Sequence, residues 1–258
     1  MENKPLISVV TPLFNAERFI EETLRSVQQQ SYGNWELLVV DDASNDASAS
    51  LVERMAVNDE RIKLTRLTEN KGAAYCRNLA TEQAQGDYIA FLDSDDLWLS
   101  GKLEKQINAM TKNNVAVSFT SYLHMNEQGE SIGKRIKAIP KLTYQKQLRN
   151  NYIGNLTGMY NASLLGKILS PDIRKRQDWA VWLEAIKKSG GPALGIEEDL
   201  ARYRVRTDSM SATKWRLVKP NYYFYRTHLG YSAIRSFFAL LRFFWEYFLM
   251  RPRYIERY

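Results

Sequence analysis

Cysteine is almost absent from this chain of 258 residues, with Cys76 standing alone. No internal disulfide can form, so the core must hold the fold unaided, and a reducing, cytoplasmic setting is expected. The simplest reading of Cys76 itself is a small buried hydrophobe. Histidine is nearly as scarce. His124 and His228 lie outside every cluster of acids, which argues against zinc. No long apolar stretch opens the sequence, because Met1 to Pro5 leads directly into a β-rich run. A signal peptide is therefore not expected. Glycine is missing from Thr11 to Arg18, the first loop. A nucleotidyltransferase would want a glycine-rich turn there. Internal repeats and low-complexity tracts are also missing.

What is present is ordinary globular composition: 45% hydrophobic and 25% charged, enough for one α/β domain or two fused subdomains. The net charge of +7 suits nucleic acid, an anionic membrane or a phosphorylated substrate. No RNA- or DNA-binding module is recognisable, so nucleic acid is not an expected partner.

Apolar runs and helical periodicities alternate through the first ninety or so residues. Leu6–Val10 reads as a strand stopped by Thr11-Pro12, since proline removes a ladder donor. Phe19, Ile20, Leu24 and Val27 recur at helical spacing. Strands are predicted at Trp35–Val40 and Ile62–Leu67, and helices around Leu51–Met55 and over Ala73–Ala84. Tyr88–Leu92 is a further apolar run. This β-α alternation implies a parallel sheet with right-handed crossovers. Thr11–Asn15, Asp41-Asp42 and Asp93-Ser94-Asp95-Asp96 then fall on one sheet edge, where ligands of open α/β sheets bind.

The acidic run is the most informative. Asp93, Asp95 and Asp96 cannot all ionise side by side without a counter-charge. A hard divalent cation, itself able to hold a diphosphate, is one answer. A polar loop whose acids and Ser94 cap the next helix is the other. Beyond it, a helix is expected at Leu103–Met110, a strand at Val115–Phe119, a weak strand at Asn155–Asn161, a helix over Asp178–Lys188 and a basic extended piece at Arg202–Arg206.

The segments Ser8–Asn15, Leu38–Ser44, Asn70-Lys71-Gly72 with Arg77, and Phe91–Asp96 together resemble family 2 glycosyltransferases of the GT-A fold. Lys175–Trp179 is similar to the segment bearing the family's base, with Gln177 where many relatives have Glu. Arg204–Ser211 is similar to the branch that builds bacterial surface polysaccharides such as O-antigen, capsule or teichuronic acid. The resemblance implies an α/β, Rossmann-like, mostly parallel nucleotide-binding sheet flanked by helices. It implies inverting transfer of one sugar from a UDP-sugar, with Mn2+ or Mg2+, to a glycan or lipid-linked glycan acceptor.

Carried over by residue, Pro12, Phe14 and Asn15 would line the base pocket. Asp42 would accept from uracil, and Asp41 would support that loop. Lys71, Gly72, Arg77 and Ser94 would face the nucleotide and diphosphate. Asp93 and Asp95 would be the DXD acids, with Asp95 on the metal. Arg206, where some relatives have His, would contact the diphosphate. Asp96, Thr157, Gly158 and Trp179 would border the acceptor pocket. Asp178 would be the general base; the blander reading of its position is an N-terminal helix cap. The Gln-x-x-Arg-Trp motif and multiple spanning helices of processive synthases are missing, so single-sugar transfer is expected. A non-catalytic sugar-nucleotide-binding or membrane scaffold protein that retains the fold is the alternative. Residues 1–100 form the expected nucleotide half, 101–213 the acceptor and base half, and 214–258 a helical tail.

In that tail Ile234, Phe237, Phe238, Leu241, Phe244, Trp245 and Phe248 recur at helical spacing among arginines. The apolar run from Phe237 to Met250, ~21 Å at ~1.5 Å per residue, is too short for a ~30 Å bilayer core. It suits the interface of an anionic membrane, on the inner face of the cell membrane. The other reading is packing on the catalytic domain or on a second subunit.

Overall fold

The computed structural model describes residues 4–173, 175–206 and 218–258. Its nucleotide half is β1 (Ile7–Leu13), α1 (Ile20–Gln28), β2 (Trp35–Asp41), α2 (Ser48–Asn58), β3 (Ile62–Arg66), α3 (Ala73–Gln83) and β4 (Tyr88–Phe91). β4, β1, β2 and β3 lie side by side and are all parallel. β1, β2 and β4 are buried along their whole length. That is why they read as continuous apolar runs rather than alternating ones. Contrary to expectation, β1 runs through Thr11-Pro12 to Leu13. Its pairing with β4 ends at Val10, while pairing with β2 continues. Pro12 therefore sits where the strand has lost one neighbour and its missing donor costs little.

The second half is β5 (Leu97–Trp98), α4 (Lys102–Asn113), β6 (Val117–Met125), β7 (Ser131–Ile136), β8 (Lys141–Leu142), α5 (Tyr144–Gln147), β9 (Met159–Asn161), α6 (Ala162–Leu165), α7 (Gln177–Ser189) and β10 (Ala193–Arg204). Here the sheet turns mixed, since β9 is antiparallel to both β4 and β6. The expected strand at Asn155–Asn161 is a 3-10 turn, Asn155–Thr157, followed by β9. β10 is far longer than the basic piece predicted. Register shifts at Ile196/Asp199 and Asp199/Ala201 break its period of two, so no alternation marks it in the sequence.

The last segment is α8 (Val218–Tyr223), a π turn Phe224–His228, α9 (Ala233–Trp245), a π turn Glu246–Met250, a 3-10 turn Arg251–Tyr254 and β11 (Ile255–Arg257). It closes onto the catalytic half. β11 adds an edge strand to β7. Trp179 of α7 is fully buried and stacks on Phe224 at 4.5 Å between centroids, with Phe243 at 5.9 Å. α9 thus buries Ser236, Leu240 and Phe243. Its other face leaves Ile234, Phe237, Phe238, Leu241 and Trp245 exposed, followed by Phe248 and Leu249. Among the described residues, no helix is long and apolar enough to cross a membrane.

Candidate functional site

Three loops leave the carboxyl ends of β1, β2 and β3 and are stapled together. The Asn15 amide donates to Ser44 Oγ at 3.0 Å, and Asn15 Oδ1 accepts from the Asn45 amide at 2.9 Å. Asp41, fully buried, accepts from the Ser44 amide at 3.3 Å. Asp42 accepts from the amides of Lys71 at 2.6 Å and Gly72 at 2.8 Å, one on each carboxylate oxygen. Pro12, Phe14, Asn15, Asp41, Asp42, Lys71 and Gly72 are thereby brought to one shelf. Phe14 is half-exposed on it. The Lys71 ammonium is 3.1 Å from Glu69 and lies over the Tyr75 ring.

Backbone strain gathers at the same place. Asn15, Ala43, Asn114 and Arg176 have positive φ among the described non-glycine residues. Asn114 closes α4 as a left-handed C-cap. Asn15, Ala43 and Arg176 lie at the site, each in a conformation costing roughly 1–2 kcal/mol. Gly72, with φ +88, starts α3 where a side chain would be strained.

The acids after β4 find cationic partners. Arg77 Nη2 is 2.6 Å from Asp93 Oδ1, which also accepts from Asn155 Nδ2 at 3.4 Å. Arg206 Nη1 is 3.6 Å from Asp95. Asp96 is buried and accepts from the Arg204 amide at 2.9 Å. The Arg204 guanidinium, itself buried, clamps the loop by donating to the Asp95 and Glu127 carbonyls and to Glu22. Thr23 Oγ1 adds bonds to the carbonyls of Ser94 and Asp96. The counter-charge expected from a cation is therefore supplied in part by arginine. Burial and the adjacent Asp93 nevertheless push the Asp95 carboxyl above its usual range, against the pull of Arg206. Burial, with Asp95 and Asp93, pushes Asp96 well up.

A divalent metal fits this donor set. Among the described residues no group of three or more His, Cys, Asp or Glu forms a ready-made cage. Both bonds to Asp93 use Oδ1, and Asp95 remains short of positive charge. Mg2+ characteristically takes one or two carboxylates and completes its shell with water and substrate phosphates.

Asp178 is the second residue of α7. The N-cap is Arg176, left-handed and without a side-chain cap bond, so the capping reading fails. Asp178 Oδ2 instead accepts from Asn151 Nδ2 at 2.7 Å. Asn151 Oδ1 accepts from Gln147 Nε2 at 2.7 Å, which fixes its amide with the NH2 toward Asp178. A cavity of about 680 Å³ joins Asp178 to Asp93, Asp96 and Asn155 and reaches Tyr247 and Arg251 of the last segment. Trp179 and Asp96 border it. Thr157 and Gly158 do not. Thr157 is fully buried and bonds to the Gly154 carbonyl. A Cβ on Gly158 would lie 2.1 Å from the Trp182 ring. Thr207–Ser211, part of the segment similar to the surface-polysaccharide branch, lie outside the described residues. Asn151 was not singled out in the sequence, Asn155 only as the start of a weak strand and Arg251 only as one arginine of the tail, because a polar loop and a terminal arginine carry no spacing signal.

A parallel nucleotide half with paired acids at its strand ends, facing a helix-borne carboxylate across a cavity, defines a GT-A glycosyltransferase. The chain belongs to Glycosyl transferase family 2, whose model matches residues 8–166. It is 46% identical over 86% of its length to TuaG, a Bacillus subtilis protein named as a teichuronic acid biosynthesis glycosyltransferase, and covers 88% of that protein. It is 39% identical to WfgD of Escherichia coli, with 83% of each chain covered. That protein is a UDP-Glc:alpha-D-GlcNAc-diphosphoundecaprenol beta-1,3-glucosyltransferase. In fold it is similar to S. aureus TarS 1-349 in complex with UDP-GlcNAc, with a TM-score of 0.73, 21% identity and coverage of 96% of this chain and 74% of that one. It is also similar to the mannosyltransferase PcManGT of Pyrobaculum calidifontis in complex with GDP-Man and Mn2+, with a TM-score of 0.68, 20% identity and 98% and 72% covered.

Proposed function

We propose that the protein transfers one sugar, with inversion, from a UDP-sugar to a hydroxyl of a lipid diphosphate-linked glycan in surface polysaccharide synthesis. One observation carries this reading: Asp178 and the acids Asp93 and Asp96 that follow β4 border one cavity from opposite elements. Asp178 takes the proton of the acceptor hydroxyl. The hydroxyl oxygen forms the new bond to the anomeric carbon as the bond to the diphosphate breaks, and the electron pair leaves with UDP. Asn151 holds Asp178 in place. Arg77, buried between the charges of Asp93 and Asp178, and Arg206 supply positive charge near the leaving group. Mn2+ or Mg2+, held by Asp95 and Asp93, would supply Lewis-acid stabilisation of the diphosphate when bound. The shelf of Pro12, Phe14, Asn15 and Asp42 receives the uracil ring. WfgD, with its diphosphoundecaprenol acceptor, supports the choice of acceptor class.

The test is UDP release over a panel of UDP-sugars with Mn2+ and a short-chain lipid diphosphate sugar. Release that requires both substrates is expected. UDP binding without release from any donor would leave a non-catalytic sugar-nucleotide binder.

Such an acceptor lies in a membrane, and the exposed face of α9 suits one. Ile234, Phe237, Phe238, Leu241 and Trp245 are all at least half exposed, and Arg235 and Arg242 are exposed beside them. Phe248 continues that face and also lines the cavity. Aromatic and leucine side chains with arginines favour an anionic interface. The protein should float with anionic liposomes at low salt. The pair Phe238→Glu and Trp245→Glu should abolish flotation while leaving UDP binding intact, since neither side chain is buried. Wild-type protein that stays in the soluble fraction would overturn the attachment.

A further inference from the structure

The cavity beyond Asp178 changes character along its length. Near β4 it is bordered by the carboxylates of Asp93, Asp96 and Asp178. β7 lies three strands from β4 in the sheet order, and on that side the lining is cationic: Lys134 of β7, and Arg251 from the turn before β11. Arg176, at the start of α7, joins them. None of the three makes an ion pair shorter than 4.0 Å among the described residues. Arg251 meets neutral groups: Asn150 Oδ1 and the Asn151 carbonyl, and the Tyr122 hydroxyl. Arg176 donates to Asn221 Oδ1. The cations also act on one another. Burial and then Arg251 hold the Lys134 ammonium below its usual range; burial and Arg251 together pull Arg176 down as well, against the nearby Asp178 carboxylate. Grouping like charges in a partly buried space is unfavourable unless an anion joins them.

Two neutral groups point to the same ligand. His124 and Asn150 line the cavity and are more than nine-tenths buried. Neither imidazole nitrogen of His124 has a hydrogen-bond partner, nor has Asn150 Nδ2. Burial and the cations Lys134 and Arg251 push His124 down to about 4, so its ring is neutral at physiological pH and offers one N–H. Asn150 spends its oxygen on Arg251, which leaves its NH2 as the free donor. Buried polar groups without partners are rare in folded proteins and mark positions a ligand completes. Lysine, arginine, an amide NH2 and an imidazole N–H form a set of donors, and donors in this number suit an anion with several acceptor oxygens.

We propose that Lys134, Arg176, Arg251, His124 and Asn150 form a subsite for the diphosphate of the acceptor, separate from the donor diphosphate at Asp93–Asp95. The inference rests on the glycosyltransferase reading above and assigns the far end of the same cavity. The acceptor sugar then lies between this subsite and Asp178. Its carrier leaves past Phe248, which lines the cavity and is half exposed on the apolar face of the last segment.

The test uses the full chain saturated with UDP and Mn2+, so that the donor site is filled. Octyl diphosphate, below its micelle concentration, is titrated by calorimetry, with octyl glucoside as the phosphate-free control. Wild-type protein should bind octyl diphosphate and not octyl glucoside. Lys134→Glu should weaken octyl diphosphate by ~10-fold or more, the scale of a lost charge-assisted hydrogen bond with added repulsion. Lys134→Arg should restore most of it. Lys134 is partly exposed on β7, next to the edge strand β11, and its side chain makes no hydrogen bond or ion pair among the described residues, so folding should survive both changes. UDP affinity, measured in the same proteins, should stay constant. Octyl diphosphate binding indifferent to the charge at 134, or a parallel loss of UDP binding, would overturn the subsite. Failure of UDP to bind wild-type protein would count against the glycosyltransferase reading instead, so the two are told apart.

Discussion

Asp178→Asn should lower turnover by at least ~10²-fold, the usual contribution of a positioned acid–base group, while UDP binding is unchanged. The substitution keeps the shape of the side chain and removes its basicity. It also places an amide opposite the Asn151 NH2, which now points a donor at Asp178 Oδ2. The pair can be rescued by rotating the new amide to present its oxygen, so the fold should hold. Its loss as a helix cap is not a concern, because Arg176 occupies the N-cap position and Asp178 makes no capping bond. Single-turnover transfer with saturating donor and acceptor measures the effect. A variant within a few-fold of wild type would remove Asp178 as the base. Product with the donor's anomeric configuration retained would remove single displacement altogether.

Asn151→Ala is the informative companion, since it separates the base from its support. Asn151 touches Asp178 and is itself oriented by Gln147. This arrangement was not legible in the sequence, where Asn150-Asn151 looks like any polar loop. The nucleotide half was legible for a physical reason. Parallel strands buried on both faces are written as unbroken apolar runs, and their acids fall at the ends. The second half hides its strands. β10 has two register shifts inside it, and its buried Arg204 reads in sequence as one more exposed cation. Only three dimensions show that Arg204 holds the Asp95–Asp96 loop by its amide and its guanidinium together. The last segment was half legible. The residues expected on one apolar face, Ile234 to Phe248, are exposed together apart from the partly covered Phe244. Leu240 and Phe243 on the opposite side pack against α7. The helix is thus a packing element on one face and an open apolar surface on the other. Spacing alone identified the stripe but not which side of the helix the domain would take.

Asp95→Ala should cost ~10²–10³-fold in turnover or more, the scale of losing one electrostatic contact to a developing anion, and should abolish the response to Mn2+. The argument starts from an imbalance. Asp93 is neutralised by Arg77 at 2.6 Å, but Asp95 has Arg206 only at 3.6 Å and is pushed above the usual carboxylate range by burial and by Asp93. Its folded value exceeds the unfolded one, so ionising Asp95 weakens the fold as pH rises through that range. A bound divalent cation with UDP reverses the sign, because it binds the ionised form. Mn2+ with UDP should therefore raise the melting temperature of the wild-type protein more at neutral pH than at a pH near the ordinary carboxylate value. Asp95→Ala should melt at or above the wild-type temperature without ligands, since it removes an unfavourable buried charge, and should gain nothing from Mn2+ with UDP. The backbone carbonyl that Arg204 grips at position 95 survives the substitution, so the loop keeps its clamp. A variant that retains Mn2+-dependent stabilisation and turnover would move the metal away from Asp95, leaving the Arg77 and Arg206 guanidiniums to carry the leaving group alone.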